Sequence, residues 1–188
     1  MSYEKIRSIK IDQKQGKVFI TCACNNVRPL IYEKHESDYL SKMLKEEGKE
    51  KVEIHILKAY EESNFQQGNN KFRKALKVLK FVFKEEYQKF NWNNNYKYGS
   101  PESKEVDRLR ETKEFEELLK KALNYKIPKN KFVLSKKTYN GLAYGKACPR
   151  RLYWSWNKTK ATKFDFKEEA ENYLSWFSGL NDVEIVEV

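Results

Sequence analysis

The stretch KFVLSKKTYNGLAYGKACPRRLYWSW, residues 131–156, sets apolar and basic runs on either side of Asn140-Gly141 and places Pro149 before a third run. Asn-Gly between such runs is a strong hairpin signal, because both central positions of the tight turn take positive φ. The stretch therefore predicts three strands, at 131–139, 142–148 and 150–156. On the third, alternation puts Leu152, Trp154 and Trp156 on one face and Arg151, Tyr153 and Ser155 on the other. The Trp face is expected to pack inward and the Arg-Tyr face to look outward. Further on, Asp165 with Glu168 reads as a capping box opening a helix. Ala170, Tyr173, Leu174 and Phe177 form its apolar stripe, Gly179 ends it, and residues 183–186 read as a closing strand. Residues 127–188 thus predict a β-β-β-α-β unit.

Charge is concentrated in the same place. Residues 129–164 hold ten Lys and Arg and no Asp or Glu, with seven aromatic residues threaded between them. The whole chain of 188 residues carries a formal net charge of +11. Such a balance favours an anionic partner, a nucleic acid or a protein that holds one. Lys136, Lys137, Arg150, Arg151, Lys158 and Lys160 are the candidate contacts here, and Tyr153 a candidate stacking surface. Lys far outnumbers Arg, which suits attraction to a phosphate backbone better than bidentate reading of bases.

Working back toward the start, residues 1–126 predict a β-hairpin followed by helices, so the whole chain reads as α+β. Ile6, Ile9 and Ile11 mark a first strand, and residues 18–24 a second, with Gly16 in the turn between. The second is nearly continuously apolar and is expected to be covered on both faces. Asn25-Asn26-Val27-Arg28-Pro29-Leu30-Ile31-Tyr32 predicts a polar turn and an extended segment, because Pro29 disfavours a helical Arg28. Asn25 and Asn26 fit turn chemistry, and a contact role for them and Arg28 is the alternative. Helices are expected at 36–47, ended by Gly48, and at 52–62. Asn70 could cap a third at 71–86, with Phe72, Ala75, Leu76, Leu79 and Phe83 inward. Lys71, Lys74, Lys77 and Lys80 project from its other faces, either as a solvated surface or along a phosphate backbone. Residues 90–100 predict an irregular connection. Ser100-Pro101 opens a helix running to about Tyr125.

Several function classes lack their residues. His35 and His55 sit on separate segments, and Cys22, Cys24 and Cys148 have no evident His partner. No Gly-x-Ser-x-Gly elbow or phosphate-binding loop is present. The expectation is a protein without catalytic activity, cofactor or metal, although a carboxylate nuclease site leaves little trace in a sequence. No export signal or membrane-length apolar run is read, and an odd number of cysteines fits reduced thiols, so the expected location is a cytoplasm.

Three segments carry a resemblance. They are residues 18–32 with Asn-Asn-Val-Arg-Pro-Leu, residues 68–79 with Gly-Asn-Asn-Lys and Ala-Leu-Lys-Val-Leu, and Trp156-Asn157-Lys158-Thr159-Lys160-Ala161 followed by Phe164 and Glu168-Glu169-Ala170-Glu171. In these the chain resembles small accessory proteins of phages and mobile elements of Gram-positive bacteria, some of which are anti-CRISPR proteins acting on Cas9. The resemblance implies a Cas9 inhibitor that binds the effector complex or its DNA or RNA. A general nucleic-acid-binding phage accessory protein is the alternative. The shared motifs are structural and assign no functional residue.

Overall fold

Strands β1 (Ile6–Asp12) and β2 (Lys17–Cys22) pair antiparallel around a turn in which Gly16 takes a φ of 59° and the Asp12 carboxylate accepts from the Gln15 amide at 3.1 Å. Positive φ at that position is what glycine supplies without strain. The computed structural model describes residues 6–22, 29–62, 70–91, 99–148, 151–177, 179–180 and 182–188. Cys24, Asn25, Asn26, Arg28, Arg150 and the aromatic run at 92–98 lie outside the described residues. The chain is α+β and divides into two units, Met1–Tyr125 and Lys126–Val188.

In the first unit the hairpin lies on α1 (Pro29–Glu46). Ser41 accepts the Val18 amide at 2.9 Å and Ser37 the Ile20 amide at 3.2 Å, so α1 satisfies donors along the outer edge of β2. An uncovered strand edge is a template for unwanted pairing, and two serines one turn apart remove it here. β2 is covered on one face only, not both. Val18 and Ile20 are buried, while Phe19 is 44% exposed. The Pro29 segment is helical rather than extended. Proline fits the first helical position, where its missing N–H would be unsatisfied anyway.

Helices α2 (Gly48–Glu62), α3 (Asn70–Phe81), α4 (Lys84–Gln88), α5 (Pro101–Arg110) and α6 (Lys113–Asn124) complete the unit. Val18, Leu40, Val52, Ile56, Leu57, Phe72, Leu79, Phe90, Phe115 and Leu119 are its largest fully buried side chains among the described residues. Two long helices expected from the sequence are each broken. The one at 71–86 stops at Phe81 and resumes at Lys84, leaving Leu76 and Phe83 half-buried and Val78 buried. The one from Pro101 breaks at Glu111-Thr112, where the Thr112 hydroxyl accepts the Phe115 amide at 3.4 Å and starts α6. Ser100 caps α5 as expected, accepting the Ser103 amide at 3.2 Å.

The breaks serve one buried polar cluster. Arg110, the last residue of α5, is 2% exposed. It pairs with Glu61, donates to the Phe90 carbonyl at 2.9 Å and lies 5.0 Å from the Phe115 ring centroid. The Tyr87 hydroxyl donates to the other Glu61 oxygen, and burial beside that carboxylate pushes the phenol well above its ordinary range. A continuous helix would not end at Arg110 with its guanidinium aimed at α2.

The second unit is a four-stranded antiparallel sheet of β3 (Phe132–Thr138), β4 (Gly141–Cys148), β5 (Arg151–Ser155) and β6 (Val183–Glu187), in the order β5-β4-β3-β6. One face is covered by α7 (Lys167–Leu174), giving the β-β-β-α-β order read from the sequence. Leu134, Phe164 and Ala170 are buried between them, with Phe132, Leu152, Tyr173, Leu174, Val183 and Ile185 packed around. The helix begins one residue later than the expected cap, with Phe166 at the cap position. Glu169 reaches back, accepting the Asp165 amide at 3.0 Å, while the Asp165 carboxylate takes Lys131 at 2.7 Å. Residues 162–164 wedge between β3 and β4. Phe164 bridges Phe132, and Thr162 binds the Gly145 carbonyl and the Ala147 amide.

Candidate nucleic-acid interface

The sheet register sorts the basic residues by face. Paired residues on antiparallel strands point the same way and neighbours along a strand point oppositely. Leu134 and Ala147 belong to the helix-covered face, and with them go Lys136, Ala143, Leu152 and Trp154. Ser135, Lys137, Tyr144, Lys146, Arg151 and Tyr153 point to the other, open face. The Phe132–Phe164 bridge places Phe164 with the covered face; Lys163 beside it is exposed but lies outside any strand, so the register assigns it to neither face.

The open face is basic and partly aromatic. Tyr153 is 48% exposed and stands directly opposite Lys146, with Tyr144 diagonal to it. The Arg151 guanidinium donates to the Tyr153 hydroxyl at 3.4 Å. Lys137, Lys146 and Arg151 are exposed, and none has an ion pair among the described residues. Val133 and Ser135, at the centre of β3 on the same face, are buried, so the exposed strip follows β4 and β5. Strands β3 to β5 contain no Asp or Glu; the seven acids of this unit all lie at or after Asp165. The acids of α7 fall on the opposite side of the sheet, while Glu184 of β6, paired with Ser135, points to the open face at its β6 edge.

The strip has a firm support. The Tyr173 hydroxyl of α7 donates to the Cys148 carbonyl at 2.9 Å and accepts the Cys148 amide at 3.1 Å, tying down the end of β4. Burial pushes that phenol's pKa up, which keeps it protonated and a donor.

Some expected contacts fall elsewhere. Lys136 is not on the open face; its ammonium sits 4.6 Å from the Trp154 ring centroid on the covered side. Small Ala143 and Gly145 between them allow that reach across β4. Trp156 does not pack inward. It lies one residue past β5 and is 59% exposed. Lys158 and Lys160 are exposed on a single 3-10 turn, whose start is capped by the Asn157 side chain accepting the Thr159 amide at 2.9 Å. On α3, Lys71 is bound to Glu53 at 2.6 Å, Lys77 is half-buried, and Lys74 and Lys80 are exposed beside Arg73. Much of the first unit's surface charge is likewise paired, as in Lys51–Glu116 and Lys120–Glu50.

Tyr144 and Lys146 were not singled out as contacts from sequence. Lys146 could have been found by pairing Cys148 with Arg151, which sets it opposite Tyr153. Among the described residues no group of three or more His, Cys, Asp or Glu could hold a metal ion. No described helix is long and apolar enough to cross a membrane. The chain matches no protein-family model, no curated protein and no solved structure.

Proposed function

We propose that the protein binds nucleic acid through the open face of the C-terminal sheet and that it inhibits a Cas9-type effector by occupying the complex or its nucleic acid. One observation carries the binding: Lys146 and Arg151 stand exposed beside Tyr153 on β4 and β5, Lys137 is exposed on the same face of β3, and these three strands hold no acid. Exposed cations neutralise phosphates and release counterions, and an exposed ring offers a base a surface to stack on. A basic surface argues against mimicry of DNA, which would need an acidic one. The narrower target rests on the resemblance in the three segments named above.

Two measurements separate the layers of this reading. Fluorescence anisotropy with labelled RNA and DNA tests the binding. Guided cleavage by Cas9 with the protein titrated in tests the target. Binding without inhibition favours the general accessory protein, and absence of both removes the proposal.

A further inference from the structure

We infer a second docking site, independent of the basic face, where a polypeptide segment of a partner protein adds as a strand to the outer edge of β5. β5 is an edge strand of its sheet. Its phase is fixed from the other flank of β4, where the Gly145 carbonyl and the Ala147 amide bind Thr162 and therefore point away from β5. Tyr144, Lys146 and Cys148 thus turn their backbone groups toward Ser155, Tyr153 and Arg151. The amides and carbonyls of Leu152 and Trp154 are left pointing outward, in the alternation that only another extended backbone matches.

The side chains of those same two residues line a groove. With Trp176, Phe177 and Leu180, which follow α7, they enclose an open space of about 310 Å³ on the covered side of the sheet. Trp176 is 70% exposed. A strand laid along β5 would place alternate side chains in this groove, and apolar ones fit its walls. The cation on this side of the sheet is Lys136, over Trp154. It favours an acidic residue beside the apolar ones, and the +11 charge of the chain disfavours a second copy.

The test pans a random twelve-residue peptide library against the immobilised full-length protein and measures the selected peptides by anisotropy. Enriched peptides should alternate apolar residues and carry an acidic one beside them. Trp176→Ala alters an exposed wall and should leave the circular dichroism unchanged while weakening binding at least about tenfold, a loss of about 1.4 kcal/mol. Methylating alternate peptide amides on the edge-facing side should weaken it similarly. No enrichment, or peptides indifferent to both changes, overturns the inference. Sedimentation showing a dimer that Trp176→Ala dissolves would also overturn it, by assigning the edge to a second copy. None of these outcomes bears on nucleic-acid binding at the open face.

Discussion

Arg110→Met should be the most damaging single change in the first unit. Arg110 is 2% exposed and its Glu61 partner 8% by side chain, so the substitution leaves a carboxylate in the interior with the Tyr87 hydroxyl as its remaining hydrogen-bond donor of the cluster. It also orphans the Phe90 carbonyl, held at 2.9 Å. Removing one partner of a buried pair costs roughly 3–5 kcal/mol. With a urea m-value of about 2 kcal/mol/M, the midpoint should fall by roughly 1.5–2.5 M. Methionine keeps part of the packing over Phe115, so the loss is electrostatic more than steric. The double change Arg110→Met/Glu61→Met should therefore lose much less than the two single changes added together, because no unpaired charge remains. Urea unfolding followed by helical circular dichroism measures both. A loss below about 1 kcal/mol for Arg110→Met, or simple additivity in the double change, would refute the reasoning.

Tyr87 predicts an alkaline limit. Its ionisation is raised in the fold, first by burial and then by Glu61, so its stabilising share is intact below the unfolded phenol value of about 10 and is lost as pH rises above it. Tyr87→Phe should be less stable at neutral pH and should flatten the fall above about pH 10 seen in urea titrations. Gly145→Ala would bring a Cβ to 2.9 Å from Leu134 Cβ and 3.0 Å from Leu152 Cδ1, and should cost about 1–3 kcal/mol in thermal or urea unfolding. Ser41→Ala strips the acceptor from the Val18 amide and should destabilise the hairpin by about 1 kcal/mol, read as faster amide exchange at Val18.

The second unit was legible because local signals and tertiary needs agree there. The hairpin signal at Asn140-Gly141 is off by one residue, since Thr138 pairs with Gly141 and leaves Tyr139 and Asn140 at the tip, but the strands on either side and the helix over Ala170 were read correctly. Alternation also separated Arg151 and Tyr153 from Leu152 and Trp154. It was less informative for Lys136 and Lys137, which a reading of charge alone groups together and the pleat sends to opposite faces. Trp156 shares the parity of Trp154, but parity stops meaning anything once the chain leaves the strand. The helical half was harder. Glu111-Thr112 and Val82-Phe83 contain neither Gly nor Pro, and both breaks are imposed by what must be buried, above all Arg110. Pro29 signals an extended neighbour and a helix start equally well. The wedge at 162–164 depends on hydrogen bonds to strands far away in sequence, which no local pattern reports.

The most direct test of the central claim is a salt titration of duplex and single-stranded binding for the wild type and for Lys137→Gln/Lys146→Gln/Arg151→Gln. The open-face account predicts weaker binding and a slope of log K against log salt that is shallower by about 2 to 3 on duplex, about 0.9 for each phosphate that is no longer neutralised. A variant that binds with unchanged affinity and slope would contradict it.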